Sequence, residues 1–228
     1  MAEIRHEIIY YTVLMMLALL VPIPFVDDVL KNYLRRRMIE RLARNYQCEL
    51  SELEVKVLAR ENGEGCLSGC LMRMLFYPIK KLFRKMFFLW GWKKALDEAS
   101  YTLHYAVLLD YSMQEGWLGP QGRYEVSQVR CYIEAVLREV DTKPLEAIMR
   151  AAFVGSKEVV REAVVQLSRR LKSRKRAEES MAETLQLIES RQDKQINNLV
   201  DTILDGISKL PASYLVELKT RLRTKVRE

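Results

Sequence analysis

Uncharged residues run without a break from Ile8 to Val26, nineteen positions that end at Asp27-Asp28. A helix over 8–21 has fourteen residues, which at 1.5 Å per residue reaches about 21 Å, short of the roughly 30 Å hydrocarbon core of a bilayer. Pro22 and Pro24 remove backbone donors and push Val21 and Ile23 toward extended geometry, so the helix is expected to stop before Ile23-Pro24-Phe25. The pattern therefore predicts a re-entrant or interfacial segment, or a core helix. If it inserts, Lys31, Arg35, Arg36, Arg37, Arg41 and Arg44 behind it against Arg5 before it place its C-terminal side in the cytoplasm. A cleaved leader is disfavoured by Glu3 and Glu7 and by the lack of a small-residue cleavage site after the run.

Beyond the aspartates, whose carboxylates suit a helix N-terminus, Val29, Leu30, Tyr33, Leu34, Met38, Leu42 and Tyr46 recur at spacings of three and four opposite an arginine-rich face. This stripe predicts a second helix. A glycine-containing break follows at 61–70. The strongest amphipathic pattern lies at 70–92. At 100° per residue, Leu71, Met72, Leu75, Phe76, Ile79, Leu82, Phe83, Met86, Phe87, Leu89 and Trp90 share an arc of about 160°, opposite Arg73, Lys80, Lys81, Arg84 and Lys85. Such a helix suits a lipid headgroup layer, where each near-surface cation contributes about 1 kcal/mol against anionic lipid. It equally suits a bundle helix whose basic stems drape over the core. Pro78 predicts a kink. Further helices are expected over 93–118, 124–140, 143–152, 156–190, 192–209 and 212–226. The sequence GPQGR at 119–123 is taken as the boundary between a 1–118 module and a 119–228 region.

Leu, Glu, Arg, Lys, Met and Ala dominate, glycine and proline are few, and no train of alternating strands occurs, so the predicted fold class is all-α, a helical bundle. A hydrophobic content of 49% is ample for a core. The net charge of +7 is uneven, with 16 basic against 14 acidic residues in 1–118 and 21 against 16 in 119–228. Arg169, Arg170, Lys172, Arg174, Lys175 and Arg176 form a basic patch, six of eight consecutive residues. An excess of this kind suits an anionic surface. The patch could touch lipid or nucleic acid, or form a solvated helix face, and no zinc finger, RNA-binding signature or aromatic platform supports sequence reading. Met181, Leu185, Ile188, Ile196, Leu199, Ile203, Ile207 and Leu210 make a stripe that either folds back or pairs with a second copy as a broken coiled coil.

Candidate chemistry is sparse. Cys48, Cys66, Cys70 and Cys131 have neither disulfide-framework nor zinc-ligand spacing, Asp27-Asp28 lacks a nearby histidine, and His104 sits in an apolar stretch where a hydrogen-bonded core histidine is expected. No GxxxxGK[ST] loop is present. Neither a catalytic constellation, a cofactor site nor a metal site is expected.

The strings ALLVPIPFVDD, MIERLARNY, YPIKKLFRKMFF and ALDEASYTLHYAVLLDY resemble, over roughly residues 10–115, a bacterial membrane-associated domain typified by YcjF. That domain occurs alone or behind the G domain of some Era-like GTPases, and EcsC-type proteins are similar to it. The resemblance implies a helical membrane module with no established catalytic residue. Asn32-Tyr33 and Arg35-Arg36-Arg37 depart from it. Together these readings predict a non-enzymatic scaffold on the cytoplasmic face of a bacterial inner membrane, whose partner is a protein, such as a GTPase acting in trans, or a second copy. Leu14, Leu17, Leu20, Phe25, Leu75, Leu82, Phe83, Met86, Phe87 and Trp90 are expected to enter lipid, and Arg73, Lys80, Lys81, Arg84 and Lys85 to meet headgroups. The competing expectation is a soluble helical adaptor with the same faces closed into a core and a basic C-terminal half that binds an acidic protein or nucleic acid.

Overall fold

The computed structural model describes the backbone of residues 4–21, 26–59, 84–172 and 194–227, and side chains throughout these except at 26–29, 84–91, 170–172 and 195. All regular structure among the described residues is helical: α1 (His6–Leu20), α2 (Val26–Asn45), α3 (Glu52–Ala59), α4 (Arg84–Gln114), α5 (Val126–Glu139), α6 (Lys143–Gly155), α7 (Lys157–Lys172), α8 (Lys194–Ser208) and α9 (Ala212–Arg227). The all-α expectation holds.

The apolar N-terminal run is the axis of the bundle. A helix that is hydrophobic on every side must be covered on every side. α1 packs against α2, α4, α7 and α8, and Ile8, Ile9, Val13, Leu14, Met15, Met16 and Leu17 are all buried. The buried Thr12 hydroxyl donates to the carbonyl of Ile8 at 2.8 Å, within the helix itself. The helix ends at Leu20, ahead of the proline pair, as the sequence predicts.

Around this axis, α6 packs on α4 and α8, and α5 packs on α3, α4 and α9. Helices from both sides of 119–123 thus share one core. The turn there redirects the chain from α4 into α5 without dividing the apolar interior. Two corners show why the chain reverses where it does. α4 closes with Gly116 at φ +67°. The Trp117 N–H bonds the Ser112 carbonyl and the Gly116 N–H bonds that of Met113, both at 3.0 Å, which is the Schellman arrangement. The ring of Trp117 then meets Tyr111 edge-on at 5.8 Å. α2 ends the same way: Cys48 N–H to Ala43 O at 2.8 Å and Gln47 N–H to Arg44 O at 3.1 Å, with Gln47 carrying the positive φ of 53°.

Two sequence expectations change. The division at 92/93 is absent, because α4 runs unbroken from Arg84 to Gln114; Trp92 joins its core row and meets Phe153 of α6 edge-on at 6.3 Å. The short helix α3 was not anticipated. Its Ser51 starts it, with Glu54 accepting from the Ser51 N–H at 2.7 Å and Ser51 Oγ accepting from the Glu54 N–H at 3.3 Å, a reciprocal cap of the kind that nucleates one or two turns. The break at 61–70, the Pro78 kink, and the stripe residues Met181, Leu185 and Ile188 lie outside the described residues.

Truncation in the axis and on the surface should separate cleanly. Leu17→Ala is expected to cost about 2–5 kcal/mol, whereas Leu53→Ala, at a position 73% exposed on α3, should stay within about 0.5 kcal/mol. Urea unfolding of the two variants checks this.

Candidate functional site

The last turn of a helix leaves its carbonyls without intrahelical partners and carries a partial negative charge. In α3 three consecutive carbonyls are satisfied by three different helices. Arg130 of α5 donates through Nη1 to Val57 O at 2.5 Å, Tyr105 of α4 donates its hydroxyl to Leu58 O at 2.8 Å, and Arg35 of α2 donates through Nη1 to Ala59 O at 3.4 Å. Both guanidinium groups are balanced. Arg35, 3% exposed, donates through Nη2 to Glu98 at 2.6 Å and to Thr102 Oγ1 at 3.3 Å, and Arg130 Nε donates to Glu134 at 2.6 Å. Burial pushes the Tyr105 phenol well above its ordinary range, so it stays a donor at any ordinary pH. Burial, with Glu134 nearby, also raises Tyr101, whose ring lies 6.0 Å beneath the Arg35 guanidinium.

A second cluster joins α1, α2 and α4. Arg5, just before α1, donates through Nε to Asp110 at 2.9 Å and through Nη2 to Tyr46 Oη at 2.8 Å, and the Tyr46 hydroxyl donates to the same Asp110 oxygen at 3.0 Å. Burial raises the Asp110 carboxyl despite these partners. Asn45 adds a bond to Glu7 at 2.7 Å. The start of α1, the end of α2 and the last third of α4 are thereby tied at one point.

The clamp holds the last turn of α3, which ends at Ala59, and the next described helix, α4, starts at Arg84. The register of α4 decides which way its first turns present themselves. Positions 84, 88, 92, 95 and 99 form one row, half-buried at Trp92 and buried at Ala95 and Ala99; positions 86, 90, 93 and 97 form another, exposed at Lys93 and Asp97. Met86 and Trp90 therefore stand in helical register with Lys93 and Asp97, and Arg84 in register with Trp92, Ala95 and Ala99. Lys94 is also exposed.

Of the residues expected in lipid, Leu14 and Leu17 are instead core residues, 3% and 2% exposed, because α1 is enclosed by four helices. Leu20 is half-buried against the same core. Met86, Phe87 and Trp90, with Arg84 and Lys85, lie on the backbone of α4. Phe25, Leu75, Leu82, Phe83, Arg73, Lys80 and Lys81 lie outside the described residues. Of the basic patch, Arg169 is exposed near the end of α7, Arg170 and Lys172 lie on that helix, and Arg174, Lys175 and Arg176 fall outside. Lys31 and Arg35, read as flanking positive charge, are buried. Among the described residues no helix is long and apolar enough to cross a membrane, and no three metal-ligating side chains gather.

The clamp was not legible in advance. Arg35 stands in a run of three arginines, and nothing in that run distinguishes the buried one except that Ile39 and Leu42, four and seven positions on, share its helix face. Arg130 and Glu134 do carry the i, i+4 spacing of a helix ion pair. Removing a member of the clamp should be costly because its partners stay buried: Arg35→Ala is expected to destabilise by about 3–5 kcal/mol and Tyr105→Phe by about 1–3 kcal/mol. Denaturant midpoints measure both. No family model matches the chain, and neither a curated protein nor a solved structure matches it.

Proposed function

We propose that this chain is a non-enzymatic scaffold that attaches to an anionic membrane from one side, with α1 serving as its core and the 70–92 segment as its lipid contact. The observation that carries the reading is the register of α4, in which Met86 and Trp90 share a row with exposed Lys93 and Asp97 while Arg84 falls on the core row. Apolar positions in register with exposed Lys93, and beside exposed Lys94, are the composition of a surface that enters the headgroup boundary and meets anionic lipid with its cations. In this reading Phe25, Leu75, Leu82, Phe83, Phe87 and Trp90 contribute apolar contact and Arg73, Lys80 and Lys81 headgroup contact, at the cytoplasmic face of a bacterial inner membrane. The resemblance of residues 10–115 to the YcjF-type domain supports that location, and supports a GTPase acting in trans as the partner served.

The enclosure of α1 favours one element of the adaptor reading, a closed apolar core. In that second reading the 70–92 face meets a protein and the basic C-terminal half binds an acidic partner.

Sedimentation with vesicles separates the two. The wild-type chain should pellet with anionic vesicles and not with zwitterionic ones, and should be released by high salt or alkaline carbonate. The double variant Met86→Asp, Trp90→Asp should lower binding about tenfold or more, since each aspartate removes an apolar anchor worth roughly 1.5 kcal/mol, while its helical circular dichroism stays unchanged. No sedimentation of the wild type on any vesicle would leave the adaptor.

A further inference from the structure

An open groove of about 510 Å³ runs along the outer face of α6, lined by Lys143, Glu146, Ala147, Arg150, Ala151 and Val154. These residues recur at spacings of three and four and so share one face of the helix. The opposite face, with Leu145, Met149, Ala152 and Phe153, is buried. Ala147 and Ala151 are exposed and end at Cβ, which makes the face concave between its longer neighbours. Val154, 45% exposed, extends this apolar floor toward the end of the helix. Three charges stand along one flank in the order plus, minus, plus: Lys143, Glu146 and Arg150. Arg150 donates through Nη2 to Glu146 at 2.6 Å. The last turn of α6 carries no basic residue, so the negative end of its dipole meets no cation from its own helix.

We propose that this face of α6 is a homodimer interface, on which α6 of a second copy lies antiparallel. The charge order selects that occupant. A two-fold axis passing between Ala147 and Ala151 sets Ala147 against the partner's Ala151, and side chains this small let the helix axes approach to about 8 Å. Under the same axis each charged flank faces its own copy. Glu146 then meets the partner's Arg150 and Arg150 the partner's Glu146, so the pair that closes within one helix closes equally across two. Lys143 comes level with the partner's Gly155, at the helix end that lacks a cation. A parallel copy would set the charged flank against Pro144 and Ile148 and match nothing. One helix pair is small beside a standard interface, so a dissociation constant on the order of 10–100 µM is expected. The interface uses none of 70–92 and stands apart from the lipid reading, but it orients that segment. α6 runs antiparallel to α4: Phe153, near its end, meets Trp92, near the start of α4, at 6.3 Å. At the other end, the Tyr214 hydroxyl lies 2.7 Å from Nε2 of His104, midway along α4, and 3.1 Å from the carbonyl of Asp141, just ahead of α6. The two-fold therefore sends the two α4 starts to opposite ends of the dimer, and in the lipid reading one bilayer meets one protomer of each pair.

Sedimentation velocity of the full chain without lipid, from about 5 to 500 µM, tests the interface. The wild type should pass from monomer to dimer across that range. Glu146→Arg leaves only cations on the flank, and Arg150→Glu sets two carboxylates side by side there. Each variant alone should weaken association by about tenfold or more, because like charges then face each other across the axis. An equimolar mixture of the two should associate at least as tightly as the wild type, since opposite flanks then meet. Two chains damaged in folding would not regain association on mixing, so the mixture separates the interface from stability. Met86→Asp, Trp90→Asp should dimerise as the wild type does, whatever its effect on vesicle binding. A wild type that stays monomeric throughout the range, single variants that dimerise as tightly as the wild type, or a mixture no tighter than its components would each overturn the interface.

Discussion

The architecture depends on one constraint: α1 is apolar all round, and no single neighbour can cover a cylinder. Burying its seven large aliphatic and methionine side chains contributes on the order of 10–20 kcal/mol, an upper figure because a compact unfolded chain already hides part of that surface. Four helices are required to collect it. That is why α7 and α8 are brought back onto a helix formed at the other end of the sequence, and why α2 and α4 cannot shift without exposing it.

A core of this kind is non-directional, and the polar clusters supply the direction. Arg35 and Arg130 meet the negative end of α3 from two sides, and Arg5 meets Asp110 and Tyr46 at the start of α1. Each is a charge whose partners are also held in low dielectric, so a misplaced helix would leave a buried group unpaired. Apolar packing tells α1 to be inside; these contacts tell α2, α4 and α5 which ends belong together.

The helices themselves were largely legible, because spacings of three and four survive even where composition is mixed. Leu30, Leu34 and Met38 marked α2, and Ile196, Leu199 and Ile203 marked α8. What the pattern could not distinguish was the environment of a segment that is apolar on every face. A bilayer and a protein interior ask for the same residues, and Leu14 and Leu17 satisfy either; fourteen helical residues and two prolines were the sole hint that the interior was the answer. α3 escaped notice because eight residues carry too few repeats for a period to show. The His104 contact was legible as a core position, but its partner lies 110 residues away and sequence spacing cannot reach that far.

The topology also sets an order of events on the ribosome. About 170 residues separate the end of α1 from the start of α8, so at roughly 5–20 residues per second the most apolar helix waits on the order of 10–30 s for its last cover. During that interval α2, and then α4, are the shelter available. Contacts of such long range slow folding and leave an aggregation-prone surface exposed in nascent chains. The cost of building a bundle around its own first helix is therefore kinetic, and it falls on synthesis rather than on the finished fold.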